Sequence, residues 1–184
     1  MNWRSLTGLL ILVALAVATW WLLRDEQDSQ PVASAQTETT PDYYFNDATI
    51  TRLGDNGKTR LTLHATRIEH YPQPEYLSLE NIRLLHVADD GTRWRVTAQH
   101  GTMPEEGKVI TLRGEVHIER LQVKPRLTVD TPLLTLNTKT DMAMTDKSVI
   151  IHQGVNQLSG TGLTLWLNDS RIEMHSDVRG SYVQ

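Results

Sequence analysis

The sequence has no cysteine, one phenylalanine and, apart from one stretch near its N-terminus, no long apolar run. The missing cysteine excludes disulfides, thiolate nucleophiles, cysteine-ligated metals and a lipid-modified cysteine together. A block of one charge is also lacking. From Asp42 onward Lys and Arg are interspersed with Asp and Glu in nearly equal numbers, so there is no basic stripe of the kind that follows a phosphate backbone, and nucleic acid is not an expected partner. Catalytic signatures are missing as well: there is no G-x-S-x-G, no P-loop and no G-x-G-x-x-G. The glycine-rich "SGTG" at 159–162 precedes a strand pattern, so it lacks the helix N-terminus that cradles phosphate. Seven histidines (His64, His70, His86, His100, His117, His152, His175) form no metal-ligand spacing, and the pair Asp89-Asp90 stands before Gly91 in what looks like a hairpin turn. Nothing argues for an enzyme, a metal or a cofactor.

What is present begins with "SLTGLLILVALAVATWWLL", residues 5–23, a run that contains no charged side chain. As a helix at about 1.5 Å per residue it nearly spans a hydrocarbon core. Arg4 precedes it, while Asp25, Glu26 and Asp28 follow Arg24, so the positive-inside rule puts residues 1–4 in the cytoplasm and the rest across the membrane. Trp3, Trp20 and Trp21 sit where interfacial aromatic belts form. The rival is a secretory leader cleaved after "ASA" at 33–35. The run exceeds the usual leader length, and the polar "RDEQDSQP" separates it from that site, which favours an uncleaved anchor. Residues 24–41, rich in Gln, Ser, Thr and acidic residues, read as a tether, and residues 42–184 as one domain beyond the membrane.

In that domain helical periodicity gives way to two-residue alternation. In "ITLRGEVHIE" (110–119) Ile110, Leu112, Val116 and Ile118 share one face and polar residues the other, the pattern of a half-buried strand. Similar stretches are "TRLTLHA" (59–65), "YLSLENIRLLHV" (76–87), "RWRVTAQ" (93–99), "RLTVDTPLLTL" (126–136), "DMAM" (141–144), "SVIIHQ" (148–153), "GLTLWL" (162–167) and "RIEMHSDV" (171–178). "DNG" at 55–57, "DDG" at 89–91, "EEG" at 105–107 and "ND" at 168–169 mark turns between them. A faint period relates Asp55-Asn56-Gly57 to Asp89-Asp90-Gly91, Ala65 to Ala98 and Leu79 to Leu112, as stacked hairpins would. A shorter spacing relates Val149 to Val178. The alternation assigns Ala48, Ile50, Leu63, Leu79, Val96 and Ile110 to the inner face, with Leu112, Leu136, Met142, Met144, Leu165, Ile172 and Met174. An antiparallel sheet with one apolar side has to pack on itself, so the expected fold is all-β, a sandwich or a jelly roll.

The order of "LHATRIEHY" (63–71), "WRVTAQHGTM" (94–103), "ITLRGEVHI" (110–118), "LTVDTPLLTL" (127–136), "LSGTGL" (158–163) and "VRGSY" (178–182), following such a helix, resembles the LptC family of lipopolysaccharide export proteins. The resemblance implies a single-pass inner-membrane protein whose periplasmic domain, an open antiparallel β-jelly roll with two facing sheets, takes lipopolysaccharide from the LptB/LptF/LptG transporter and passes it to LptA. Acyl chains would then run along the inner face, with Ala48, Ile50 and Leu79 at the receiving side and Ile172 and Tyr182 toward the exit. Leu63, Val96, Ile110, Leu112, Leu136, Met144 and Leu165 would line the path between. Residues 43–52 would face the transporter and residues 171–183, with Val178 and Tyr182, would pair edge to edge with LptA. Gly162 would serve backbone geometry or subunit docking. A tethered β-sandwich scaffold with a dry core, and a hydrolase or transferase whose site is assembled from scattered side chains, are the competing expectations.

Overall fold

The computed structural model describes residues 40–181 except Asp55 and Glu105, within the unit Thr39–Gln184. The expected membrane helix at 5–23, nearly all of the tether, and Tyr182 lie outside these residues. Among the described residues no helix is long and apolar enough to cross a membrane.

The described residues form nine strands in succession: β1 (Tyr43–Leu53), β2 (Thr59–Pro72), β3 (Glu75–Val87), β4 (Arg93–Pro104), β5 (Val109–Arg120), β6 (Leu127–Asn137), β7 (Met142–Gln153), β8 (Asn156–Trp166) and β9 (Arg171–Ser181). They pair antiparallel in strict sequence order in one sheet. The two facing layers expected from the sequence are therefore parts of a single continuous sheet. The four turn signals fall between β1 and β2, β3 and β4, β4 and β5, and β8 and β9. Gly91, for example, donates its backbone N–H to the Ala88 carbonyl at 3.0 Å. The faint sequence period is a step of two strands: Ala65 lies in β2 and Ala98 in β4, Leu79 in β3 and Leu112 in β5.

Every strand is broken near its middle. On β2 the buried residues are Leu61, Leu63 and Ala65, then Ile68 and His70, so the alternation changes phase at Thr66-Arg67. The same change occurs in β3 at Glu80-Asn81 and in β4 at Gln99-His100. On β5 and β7 the break is a register shift instead, between Arg113 and Val116 and between Thr145 and Ser148. Six residues near these breaks have left-handed backbone angles: Asp47, Asn81, Gly114, Glu115, Gly162 and Asp177, with φ between 47° and 75°. Pairing puts the breaks opposite one another, so they form one line perpendicular to the strands. A register break bends a strand and sharpens its twist. Nine in a row make a crease.

The crease folds the sheet over, dividing each strand into an upper half, the one nearer the hairpins at 54–58 and 88–92, and a lower half. Contacts between distant strands prove the folding. Five strand spacings of about 4.8 Å would hold β2 and β7 some 24 Å apart in a flat sheet. Instead Arg60 of upper β2 donates to Asp141, beside lower β7, at 2.6 Å. Trp94 of upper β4 donates its indole N–H to the Leu167 carbonyl, just past lower β8, at 3.1 Å. Arg52 of upper β1 reaches Thr138, just past lower β6. In each of these contacts an upper half meets a lower one.

The core fills the space between the halves. It includes Leu63, Ile82, Leu84, Trp94, Val96 and Ile118 from upper halves and Leu79, Ile110, Leu112, Leu134, Leu136, Leu163 and Leu165 from lower ones. Burying such side chains contributes about 1.5 to 3 kcal/mol each.

Candidate functional site

Three features bear on function: the apolar lining, its two lateral ends, and the polar rim opposite the crease.

The lining crosses the whole sheet. Seven of the expected inner positions, Leu63, Leu79, Val96, Ile110, Leu112, Leu136 and Leu165, are at most 2% exposed and belong to one cluster. Ala48 and Ile50 on β1, and Ile172 and Met174 on β9, are half-buried and pack on the same cluster. Leu77 and Leu158 join them, although the alternation did not single them out as inner positions. The apolar surface therefore continues from the first strand to the last. Two expected inner positions are corrected: Met144 is 40% exposed, and Met142, on the same phase, is outside the core cluster. On lower β7 the inward phase belongs to Ala143 and Thr145, and Met144, between them, points outward.

The lateral ends are the first and last strands. Among the described residues the backbone ladder joins β1 only to β2 and β9 only to β8, and the two do not meet. On β1 the side chains of Tyr43, Tyr44, Phe45 and Leu53 are exposed. Tyr43 stacks on His70 at 4.4 Å between ring centres, and His70 Nδ1 lies 2.6 Å from Asp42 Oδ1, so the start of the strand is held in place. At the other end Val178 is 54% exposed on β9. Edge strands that carry exposed apolar side chains are surfaces on which another strand can pair.

Gly162 lies on the crease. Its φ is 75°, and an added Cβ would stand 2.6 Å from His175 Nδ1. Both the positive φ and this close approach favour glycine at the position. His175 in turn hydrogen-bonds Thr164 Oγ1 through Nε2 at 3.0 Å. The outer wall of the crease holds a hollow of about 630 Å³ lined by residues including Thr97, His117, Asp130, Pro132 and Ile150. His117 Nδ1 sits 2.6 Å from Asp130 Oδ1 there, on the outer face as its polar phase implied.

The polar rim has no counterpart in the sequence motifs. Asp141, with its side chain 7% exposed, accepts from Arg60 and from Asn168 Nδ2 at 3.1 Å, and its other oxygen is 3.7 Å from His86 Nδ1. Arg60 also pairs with Asp89, and the hydrogen bonds to Asp89 and Asp141 hold its guanidinium more firmly protonated than usual. The same bond from Arg60 holds the Asp89 carboxyl below its ordinary range. Burial pushes the His86 imidazole down, Asp141 opposing. Only three-dimensional folding reveals this group, because Arg60 and Asp141 are 81 positions apart and Arg52 and Thr138 are 86 apart. Among the described residues no group of three or more His, Cys, Asp or Glu is placed to hold a metal ion.

Comparison with known proteins supplies the family. A family model described as "Lipopolysaccharide-assembly, LptC-related" matches residues 9–183. The chain belongs to the LptC family. Among solved structures it is similar to LptH from Pseudomonas aeruginosa, described as the LptA-homologous periplasmic component of the lipopolysaccharide transport device. The TM-score is 0.53 at 9% identity, covering 67% of this chain and 95% of that one, which shows a shared fold. No curated protein matches the chain. Family membership gives the chain a role in lipopolysaccharide transport, with the folded sheet as the scaffold for it.

Proposed function

We propose that the inner face of the folded sheet carries the acyl chains of lipopolysaccharide, which arrive at the β1 side and leave at the β9 side. The observation that supports this best is the apolar lining, continuous from the first strand of the sheet to the last. Water makes such a passage necessary. Each CH₂ exposed costs about 0.8 kcal/mol, so one chain of a dozen carbons opposes transfer through water by on the order of 10 kcal/mol. A trough lined by leucine, isoleucine and valine removes that opposition without offering a strong trap. The chain has no nucleotide-binding motif, so direction comes from the LptB/LptF/LptG transporter, to which the resemblance ties the β1 edge and the N-terminal helix at the inner membrane. LptA is the expected acceptor, pairing with β9 through Val178 and Tyr182 so that two troughs align by strand addition.

The fully packed middle favours one competing reading, a membrane-tethered scaffold with a dry core. A photo-crosslinking amino acid distinguishes the two. Placed at Ile50 or Ile172 in exporting cells, it captures lipopolysaccharide if the trough is a conduit, while the same probe at outward Met144 captures none. Active export with no lipid adduct at either inner position refutes the conduit.

A further inference from the structure

Between the halves of the sheet, Leu79, Leu112, Leu134, Leu163 and Leu165 are fully buried, so no water-sized space lies beside them. A hydrocarbon chain can pass only if the halves move apart. The fold has a line about which they can turn, the crease, and on the opposite side a row of polar ties across the opening. Arg52 of the upper layer holds Thr138 of the lower, and Arg60 holds Asp141. Both arginines are partly exposed, and a recess of about 700 Å³ bordered by Arg52, Arg60, Asp89, Lys108, Lys139 and Asp141 brings solvent to them. The third tie, Trp94 to Leu167, is fully buried. Each arginine tie has one end in contact with solvent, whereas the Trp94 tie has none, so the arginine ties release first.

We infer that Arg52–Thr138 and Arg60–Asp141 form a latch that sets how readily the layers part about the crease, and so governs admission of acyl chains to the trough. This rests on the carrier reading above. Arg60 is suited to the part because it stays paired with Asp89 on its own layer when it lets go of Asp141. The arginine's charge is not stranded, Asp141 keeps its hydrogen bond from Asn168, and the latch closes again without a search.

The test uses the full chain with the transporter and lipopolysaccharide, and reads the initial rate at which a photo-probe at Ile172 captures lipid. Asp141→Asn keeps the shape and removes the ion pair. Its rate should rise by about threefold, as loss of a partly exposed ion pair allows. In the second arm, Arg52→Cys and Thr138→Cys are joined by a cleavable bismaleimide, which acts at these sites alone because the chain has no cysteine. The tied protein should capture almost no lipid and regain its rate when the linker is cut. A stabilising structural contact alone would change melting and leave capture unaltered. Capture by the tied protein at the untied rate overturns the latch while leaving the carrier reading intact, and so does a folded Asp141→Asn protein no faster than the original. If the unaltered chain captures nothing while export proceeds, the carrier reading fails and the latch with it.

Discussion

Replacing Gly162 by alanine tests whether the crease depends on backbone geometry. At φ 75° an L-residue costs about 1 to 2 kcal/mol relative to glycine. The new Cβ would also stand 2.6 Å from His175 Nδ1 and 3.1 Å from His175 Cβ, so the imidazole has to swing aside. That breaks its 3.0 Å hydrogen bond to Thr164, worth about 0.5 to 1.5 kcal/mol net. Against these, alanine restricts the unfolded chain and returns about 0.4 to 1 kcal/mol. The net loss is about 0.5 to 3 kcal/mol. Urea unfolding of the full chain, followed by circular dichroism, measures it. Gly54→Ala is the control: no strained φ is found there and the nearest atom to an added Cβ is at 3.4 Å, so stability should change by no more than about 0.5 kcal/mol. Adding His175→Ala to Gly162→Ala removes the clash but not the backbone cost, so the double variant should lose less than the two single losses together. A Gly162→Ala loss under about 0.5 kcal/mol, or strict additivity with His175→Ala, would refute the account of the crease.

Two further predictions follow from the rim, beside the crosslinking and latch experiments above. Trp94→Phe leaves the buried Leu167 carbonyl without its donor and empties part of the indole site, and should cost about 2 to 4 kcal/mol in the same unfolding assay; a loss below about 1 kcal/mol contradicts the tie. His86 is held below its ordinary 6.5 mainly by burial, so the unfolded chain binds the proton more readily than the folded one. Stability from this group is complete above pH 6.5 and falls as the pH drops below it, by no more than about 1.4 kcal/mol per pH unit for one proton. His86→Gln should flatten that part of the stability profile, and an unchanged slope would show that other groups cause it.

Alternation made the strands legible, and it failed where the strands bend. "TRLTLHA" ends at Ala65 and "RWRVTAQ" at Gln99 because two consecutive residues turn outward at each break, Thr66-Arg67 and Gln99-His100, yet β2 runs to Pro72 and β4 to Pro104. "DMAM" and "SVIIHQ" looked like separate strands because Asp146 and Lys147 lie between them, and the structure joins them across a register shift as β7. Hydrophobicity alone points Met142 and Met144 inward, although Ala143 between them occupies the inward phase. The lining was readable because apolar side chains recur at short range. The rim was not, since an ion pair between Arg60 and Asp141 leaves no local trace in either segment.

The strand order has a consequence for how the molecule forms. Each ladder joins neighbours in sequence, so hairpins can assemble one after another as the chain emerges, N-terminal first, with little entropy spent on closing long loops. Contacts such as Trp94 to Leu167, 73 positions apart, must wait until eight strands exist. An unclosed ribbon with its greasy side uncovered thus precedes the finished domain, and sealing is the late, cooperative event.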